Sequence, residues 1–564
     1  MCTPHQRGRE TVKKLVAVSS LQVVWLFSCI AATPLQAAES AGGALRDLEI
    51  RPLDLPPEPP ADTPSLTPPP AEQQVQGGDT VDIIGFRFTG NSAFSDEQLA
   101  AVLLDLSGQA LTLSQLQQAA DRITAWYRQH EWLLARAILP PQEIDDGYLL
   151  IQVVEGNYDQ VDLSNQSTLP DRLMINATRR LNSGDGVRAG TLENALMNLD
   201  ALPGTQVSSQ LSRGEAVGTS ALHIEVTDQP ALSGQLSLDN YGNTYNGEYR
   251  LNGGLSVANP LGLGDSLQLQ ALVSDGDQHF LSTQYELPVG PWNTRVGASL
   301  SWLEYELGKD FDSLNAKGKA TTGSVFASQN WWQQRSWGVS SRIEWRYRDL
   351  EDEQLGLTSE KTLRSVTLDL VNGYWRDEVL GGSANSYRLS WTHGELSLDT
   401  PYAQASDFYG TEGRYHKVNL ALLRQQRLTP RLSLNLNLRG QLADGNLDSA
   451  EKISLGGAYG IRAFPQGEAS GDEGWLASTE LRYALNSQWQ LGTFLEAGGI
   501  TYNKDPLAFG DRHRNLKGAG VSAYWQPHRQ WQVSAIAATS LDNEEAVSDE
   551  PEDVYFWGQV QWMF

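Results

Sequence analysis

Cysteine is nearly absent from this sequence of 564 residues, and both copies, Cys2 and Cys29, lie within its first thirty positions. The rest of the chain is cysteine-free, so it cannot depend on a disulfide framework. Basic residues are also few: 42 Lys and Arg stand against 68 Asp and Glu, which gives a formal net charge of −26. That balance argues against nucleic acid as a partner, because phosphate binding depends on Lys and Arg.

Catalytic and cofactor motifs are missing as well. The sequence contains no His-Glu-x-x-His helix, no Gly-Lys-Ser phosphate loop and no acidic calcium loop. Its eight histidines are scattered and do not pair at metal-ligand spacing. We therefore predict that the protein is not an enzyme and has no catalytic residues, no cofactor and no metal site.

Long apolar runs are confined to the N-terminus. Basic residues there precede an apolar stretch over residues 15–32, which is followed by Pro34 and small residues. This order predicts a secretory signal peptide over residues 1–37. A transmembrane anchor and a lipoprotein site at Cys29 are alternatives, but the helix breaker Pro34 disfavours the first and the bulky Phe27 disfavours the second. No later apolar run reaches about 18 residues, which excludes spanning by helices.

Two further regions precede the C-terminal part of the chain. Residues 38–79 are polar and rich in proline, which favours an extended linker, although residues 44–51 could form two turns of helix. Short strands and amphipathic helices then alternate, and the order strand, helix, helix, strand, strand occurs twice. We predict two tandem α+β modules, over residues 80–157 and residues 158–229.

Apolar and polar residues alternate over residues 230–564, as in residues 432–438, where leucines alternate with Ser and Asn. A soluble β-sandwich shows the same alternation. Three features favour a transmembrane β-barrel instead: the polar faces are Asn, Gln and Ser, Trp and Tyr recur near predicted strand ends as at residues 345–347, and the chain ends on the aromatic residues Trp562 and Phe564. At about 20 residues per strand and connection, we expect about 16 antiparallel strands.

A Gly-rich stretch late in this region, residues 455–475, carries a lone Arg462 among turn-forming residues. A solvated surface hairpin is one interpretation. A barrel of about 16 strands has a lumen that its own side chains cannot fill, which favours a loop that lies inside it. A guanidinium buried there would need a carboxylate to offset its desolvation.

Several segments carry motifs in a fixed order along the chain. In the two modules they are residues 116–124, 139–142, 154–156, 199–204 and 214–220, and at the barrel entry they are residues 239–242 and 259–265. Together they resemble the outer-membrane transporters of two-partner secretion, the TpsB or haemolysin secretion and activation type. The resemblance covers nearly all of residues 81–564 and implies that the two modules are POTRA domains.

The resemblance also implies a role for residues 455–475, which become the sixth barrel loop, folded back into the lumen. The loop motif then consists of Ile461, Arg462, Ala463 and Phe464. The arginine is expected to pair with the acid of a Phe-x-Asp motif on the barrel wall.

That wall motif is Phe494 and Glu496 in this sequence. Two departures from the family concern this pair. Ala463 replaces a glycine and would be strained if its position requires a positive φ, and Glu496 is one methylene longer than Asp. A third departure lies in the first module, where Glu131 and Trp132 stand in place of Gly and Tyr. The short helix near residues 44–51 would correspond to the family's plug helix.

By this resemblance the protein is an outer-membrane pore of a Gram-negative bacterium with POTRA domains in the periplasm. It would recognise an unfolded exported partner, a large β-helical exoprotein, by adding a partner strand to a sheet edge, and translocate it without nucleotide hydrolysis. Outer-membrane lipid and the barrel-assembly machinery are further expected partners, the latter through an assembly signal at Trp562 and Phe564. The alternative is an outer-membrane protein assembly factor, which usually carries three to five POTRA domains; a passive porin would have no use for them.

Overall fold

The computed structural model describes residues 40–50, 53, 55, 80–292, 294–506, 512–542 and 544–564. The predicted signal peptide and most of the Pro-rich linker lie outside the described residues. None of the helices in the described ranges is long and apolar enough to cross a membrane.

The first α+β module has a three-stranded sheet in the order β2-β5-β4 and a separate pair of β1 with β3. Its elements are β1 (Thr80–Ile83), β2 (Gly85–Thr89), α2 (Asp96–Val102), β3 (Gln109–Thr112), α3 (Leu113–Gln129), β4 (Arg136–Ile138) and β5 (Tyr148–Val154). Helix α3 begins with a capping box between Thr112 and Gln115 and buries Leu116, Ile123 and Tyr127 against the sheet.

Glu155 connects the segment before α2 with helix α3 through hydrogen bonds. Its carboxylate accepts hydrogen bonds from the backbone N–H groups of Ser92 and Ala93 at 2.6 and 2.8 Å and from the Tyr127 hydroxyl at 2.9 Å. Burial raises the pKa of Glu155, but these hydrogen bonds lower it by more, so the net pKa lies below its ordinary value. The family motif at residues 154–156 therefore has a structural explanation.

The second module repeats the arrangement, with a sheet in the order β6-β8-β7. It consists of β6 (Asn157–Asn165), α4 (Asp171–Thr178), α5 (Ala189–Asp200), β7 (Thr205–Arg213) and β8 (Thr219–Asp228). The sequence prediction gave no bounds for the first strand of this module, β6. A register shift between Tyr158 and Val161 breaks its alternation, which hides the strand from a search for period two.

Backbone hydrogen bonds cross directly between the two modules. Leu133 N donates to Val187 O at 3.0 Å, and Ala189 N donates to Glu131 O at 2.8 Å. Glu131 has a φ of 70°, so the residue that replaces the family's glycine takes the left-handed conformation that glycine favours. The adjacent Trp132 ring lies against the Gly186 backbone, where a Cβ would be only 2.2 Å away.

Sixteen antiparallel strands follow and close into a barrel in which the last strand pairs with the first. This confirms the predicted fold class. The strands are β9 (Leu232–Asp239), β10 (Arg250–Ala258), β11 (Ser266–Ser274), β12 (His279–Val289), β13 (Thr294–Glu306), β14 (Lys317–Gln333), β15 (Trp337–Gln354), β16 (Leu357–Asp377), β17 (Ser383–Leu398), β18 (Gly413–Arg427), β19 (Leu432–Ala443), β22 (Glu473–Ala484), β23 (Trp489–Thr501), β24 (His513–His528), β25 (Trp531–Ser540) and β26 (Tyr555–Met563).

Each strand alternates between an outer and an inner face. On β13, for example, Leu300 and Trp302 are exposed on the outside, while Leu303 and Tyr305 are buried inside. Strands β14 to β17 have 16 to 21 residues, more than the ~9 to 11 needed to cross a membrane, so they continue beyond it. For that reason Trp345, which we had placed near a strand end, lies in the middle of β15.

Two elements lie within the barrel. One is loop six (residues 444–472), which connects β19 to β22 and contains a small hairpin of β20 (Ile453–Ser454) and β21 (Ser470–Gly471). The other is helix α1 (Ala41–Glu49), which begins three residues earlier than predicted. Two glycines near its start disfavour a helix, but a Cβ on Gly42 would lie 2.6 Å from Ser449 Oγ, so close contact with loop six requires glycine there.

Candidate functional site in the barrel lumen

Loop six is a packed structure. Ile461 N donates to Leu455 O at 2.6 Å, and a Cβ on Gly460 would lie 2.0 Å from that same carbonyl oxygen. The side chains of Leu455, Ile461 and Phe464 are buried in a cluster that includes barrel-wall residues. The glycines of this stretch therefore permit close approach within a compact loop, and a solvated surface hairpin is excluded.

Arg462 lies at the tip of loop six with 6 % of its surface exposed. Its Nε is 2.7 Å from Glu496 Oε1, and its backbone N–H donates to Glu496 Oε2 at 2.7 Å. The guanidinium carbon lies 3.4 Å from the centroid of the Phe494 ring, and Trp557 Nε1 donates to Arg462 O at 2.8 Å. The structure thus brings the loop arginine together with both wall residues that the sequence singled out.

The two departures from the family motif are both accommodated. The longer Glu496 uses one oxygen for the guanidinium and the other for the backbone, so it holds the loop at two points. Ala463 does not have a positive φ, so the strain considered from the sequence is absent. Its methyl group faces Gly518 on β24, where a Cβ would lie 2.7 Å away, and the glycine on the wall makes room for the alanine on the loop.

A second carboxylate near Arg462 was not predicted. Glu480 Oε2 lies 3.7 Å from Arg462 Nη1 and 3.0 Å from Arg482 Nη2. Ser522 Oγ and the Tyr524 hydroxyl donate to the other oxygen of Glu480 at 2.6 and 3.0 Å. The alternation of apolar and polar residues along β22 places Glu480 on the inner face next to β23, and this pattern could have marked Glu480 as a residue of the lumen.

Two more acids bind the part of loop six that follows Arg462 and leads back to β22. Glu468 pairs with Arg514 of β24 and accepts a hydrogen bond from Ser548 N at 2.8 Å, so it connects loop six to the loop between β25 and β26. Asp472 is completely buried and lies 3.0 Å from Lys452 Nζ. Removing one partner of a buried pair costs ~3 to 5 kcal/mol. Loop six is therefore held by buried ion pairs both at Arg462 and in the segment between Arg462 and β22.

Helix α1 packs across the lumen against the opposite wall. Ala41 and Leu45 are buried against Leu303 of β13 and Leu350 of β15, and against Ala450 of loop six. Because the wall residues point inward, the helix occupies the interior of the barrel and fills the space between the wall and loop six.

The C-terminal end of α1 meets a row of inward-facing arginines on β15. Glu49 contacts Arg348 and lies 3.6 Å from Arg346 Nη1. Arg348 is buried, and it also binds Glu451 of loop six at 2.8 Å. Thus one arginine is shared between the helix and the loop.

Direct polar contacts also join α1 to loop six. Arg46 Nη1 donates to Ser470 Oγ at 2.5 Å, and Gln466 Nε2 donates to Asp47 Oδ2 at 3.0 Å. These contacts and the shared arginine make the helix and the loop one assembly inside the lumen.

Trp562 and Phe564 lie at the seam that closes the barrel. The backbone of Phe564 exchanges hydrogen bonds with Gly234 at 2.9 and 3.0 Å, and the Trp562 and Phe564 rings lie 4.9 Å apart. Phe564 is 46 % exposed on the outer face. Their role as an assembly signal stays a prediction.

Comparison with known proteins shows which family shares this architecture. The family model described as haemolysin secretion/activation protein ShlB/FhaC/HecB matches residues 218–523, and a ShlB-type POTRA model matches residues 81–156. The heme/hemopexin transporter protein HuxB of Haemophilus influenzae (strain 86-028NP) is 28 % identical over 480 residues, 83 % of this chain and 84 % of its own length.

Two further comparisons involve proteins named CdiB. The outer membrane transporter CdiB of Dickeya dadantii (strain 3937) is 23 % identical over 450 residues, which span 74 % of this chain and 75 % of the relative. The solved structure of CdiB from Escherichia coli superposes with a TM-score of 0.68 at 18 % identity, covering 97 % of this chain and 98 % of that one. This structural likeness supports the fold.

The described architecture defines an outer-membrane β-barrel protein with periplasmic POTRA domains. Because the family model matches more than half of the sequence, the chain belongs to the ShlB/FhaC/HecB family of haemolysin secretion/activation proteins. It is an outer-membrane transporter of two-partner secretion and acts with a secreted partner protein. The predicted family, function and location are confirmed, and the assembly-factor alternative is not favoured.

Proposed function

We propose that the structure represents the resting, closed transporter and that α1 leaves the lumen when the POTRA domains engage the partner, while loop six stays in place. The observation that carries this proposal is the simultaneous presence of α1 and loop six inside the barrel. A polypeptide cannot pass while both remain there. Loop six is covalently attached to the wall at both ends, whereas α1 is attached only through the segment that leads to the first module.

The POTRA sheets offer the edges at which a partner strand can add. Strands β2 and β4 form the edges of the first sheet, and β6 and β7 form those of the second. An unfolded segment of the partner would pair with such an edge through backbone hydrogen bonds. We propose a large β-helical exoprotein as the partner, whose folding outside the cell draws the chain through without nucleotide hydrolysis.

The first partner to test is one that takes part in heme or hemopexin transport. The support for this choice is the similarity to HuxB, which is named a heme/hemopexin transporter, over more than four fifths of both chains. The protein exported by a CdiB transporter is the comparison partner. Co-expression with each candidate and measurement of the exported protein in the medium would separate them.

Export with α1 tethered tests the movement itself. In Ser40→Cys/Ser449→Cys the new thiols replace two hydroxyl groups whose oxygens lie 2.7 Å apart across the helix–loop contact, and no native cysteine follows the predicted signal peptide. We expect oxidation to block export of the partner and addition of a reductant to restore it.

A matched control places a disulfide within loop six and leaves α1 free. Ser454→Cys/Ser470→Cys joins two residues that are partners in the β20–β21 hairpin, and export through this variant should continue under oxidising conditions. Undiminished export through the oxidised Ser40→Cys/Ser449→Cys variant would show that the helix does not have to move.

A further inference from the structure

A cavity of about 480 Å³ lies between the second POTRA domain and the periplasmic end of the barrel. Residues after α4 and on α5 form one side, and the turn between β12 and β13 together with the end of β14 forms the other. Its polar lining includes Arg179, Arg180 and Asn198 from the POTRA domain. None of the described lining residues is acidic. Its size falls in the range of ~300 to 1,000 Å³ that small-molecule sites occupy.

The two arginines face tryptophans of the barrel. The guanidinium carbon of Arg179 is 3.4 Å from the centroid of the Trp292 ring, and that of Arg180 is 5.1 Å from the centroid of Trp332. Neither guanidinium has an ion-pair partner among the described residues. In a chain with an excess of acidic residues, two adjacent arginines without carboxylates leave a local positive charge.

The tryptophans mark the membrane boundary at this place. Trp292 and Trp331 are 60 % and 62 % exposed; Trp292 lies in the turn between β12 and β13, and Trp331 lies near the end of β14. Trp side chains concentrate at the level of lipid headgroups. A guanidinium held against an indole leaves its N–H edge available to an anion, since cation–π stacking uses only the face of the guanidinium.

We propose that this cavity binds the phosphate of an anionic phospholipid from the periplasmic leaflet of the outer membrane. Arg179 and Arg180 would contact the phosphate, Asn198 would contact the polar headgroup, and Trp292 and Trp331 would border the acyl chains. Ile175 of α4, which precedes the lining residue Asn176, is exposed as well. The bound lipid would join the second POTRA domain to the membrane surface at a defined position.

Lipid retention by the purified full-length transporter tests the site. Native mass spectrometry in detergent, titrated with phosphatidylglycerol or phosphatidylcholine, gives the affinity for each lipid. We expect preference for phosphatidylglycerol and binding about 25-fold weaker in Arg179→Ala/Arg180→Ala, because each basic residue near an anionic headgroup contributes ~1 kcal/mol, about fivefold. Arg179→Lys/Arg180→Lys keeps the charge and should retain most of the affinity.

The matched control removes two exposed arginines of the same domain that do not line the cavity, in Arg172→Ala/Arg213→Ala, and should bind like the wild type. The heat-dependent electrophoretic shift of the barrel reports folding in every variant. Equal phosphatidylglycerol binding by Arg179→Ala/Arg180→Ala and wild type would overturn the proposal. Competition by soluble glycerophosphoglycerol at the same concentration as the lipid would also overturn it, because the ligand would then be a soluble phosphate.

Discussion

Loop six and helix α1 occupy the same lumen but are held in different ways. Loop six is fixed by buried pairs, with Arg462 bound at two points by Glu496 and Glu468 bound to Arg514. Helix α1 has only nine residues. Its ion pair with the wall is made by the terminal Glu49, whose side chain is 37 % exposed, and Arg46 and Asp47 add hydrogen bonds to loop six. Partly exposed pairs contribute much less than buried ones. The difference indicates a permanent element and a removable one within a single pore.

Arg462→Ala removes the main ion pair of loop six, the permanent element, and should have the largest effect on export. Loss of the guanidinium leaves Glu496 buried without its partner, at a cost of ~3 to 5 kcal/mol. We expect export of the partner to fall to background while the barrel still inserts, as judged by immunoblot of the medium and by heat-dependent electrophoretic mobility. Arg462→Ala/Glu496→Gln should be less damaged in loop protection against protease than the single variant, since the orphan charge is gone. Normal export by Arg462→Ala would remove the proposed role of the pair.

Deletion of residues 41–49 removes helix α1, the removable element. Because loop six keeps its own anchors, we expect the barrel to fold normally and its conductance in planar bilayers to rise several-fold and to stay high. Replacing the same residues by a Gly/Ser segment of equal length controls for the shortened chain and should give the same open pore. A conductance equal to that of the wild type would mean that loop six alone closes the lumen.

Glu49→Gln weakens the docking of α1 without removing the helix. The Glu49 side chain is partly exposed and Arg348 keeps its buried pair with Glu451, so we expect a change of ~1 kcal/mol, about a fivefold increase in open probability. Single-channel recordings measure it. Glu353→Gln removes a comparably exposed acid that pairs with Lys317, and its open probability should match that of the wild type. A Glu49→Gln channel that opens no more often would show that α1 is held by its apolar side.

The smallest effects are expected at two alanines of loop six. Ala463 has no positive φ and packs against Gly518, so Ala463→Gly should be neutral or destabilise the loop by up to ~1 kcal/mol. Ala469 has a φ of 55°, so Ala469→Gly should stabilise the loop by a similar amount. Hydrogen exchange of loop-six amides measures both, and greater protection in Ala463→Gly than in Ala469→Gly would contradict this assignment of strain.

The sequence predicted the barrel because alternation and aromatic placement extend over many strands, and it predicted the contact of Arg462 with Glu496 because a motif marks both. It did not reveal Glu480, which carries no motif and reaches Arg462 only through strand pairing. It also misplaced the start of α1, since the helical conformation of Gly42 depends on its contact with Ser449. That contact joins α1 to a segment about 400 residues later in the chain, which no local pattern records.

Backbone strain at Glu131 and Ala463 shows the same limit of prediction from sequence. A glycine position in a family motif suggests a positive φ, and this holds at Glu131 but not at Ala463. The loop position needs a small side chain for contact with Gly518, whereas the module position needs an unusual backbone angle. The two requirements look alike in a sequence, and only the structure distinguishes them.

The hydrogen bonds that cross between the two POTRA domains have a mechanical consequence. Leu133 to Val187 and Ala189 to Glu131 bridge the junction on both sides of Trp132, so bending there would break backbone hydrogen bonds and separate the Trp132 ring from Gly186. The pair therefore behaves as one stiff arm. We expect a force applied to the first domain to move both domains together, so that it is transmitted to the barrel.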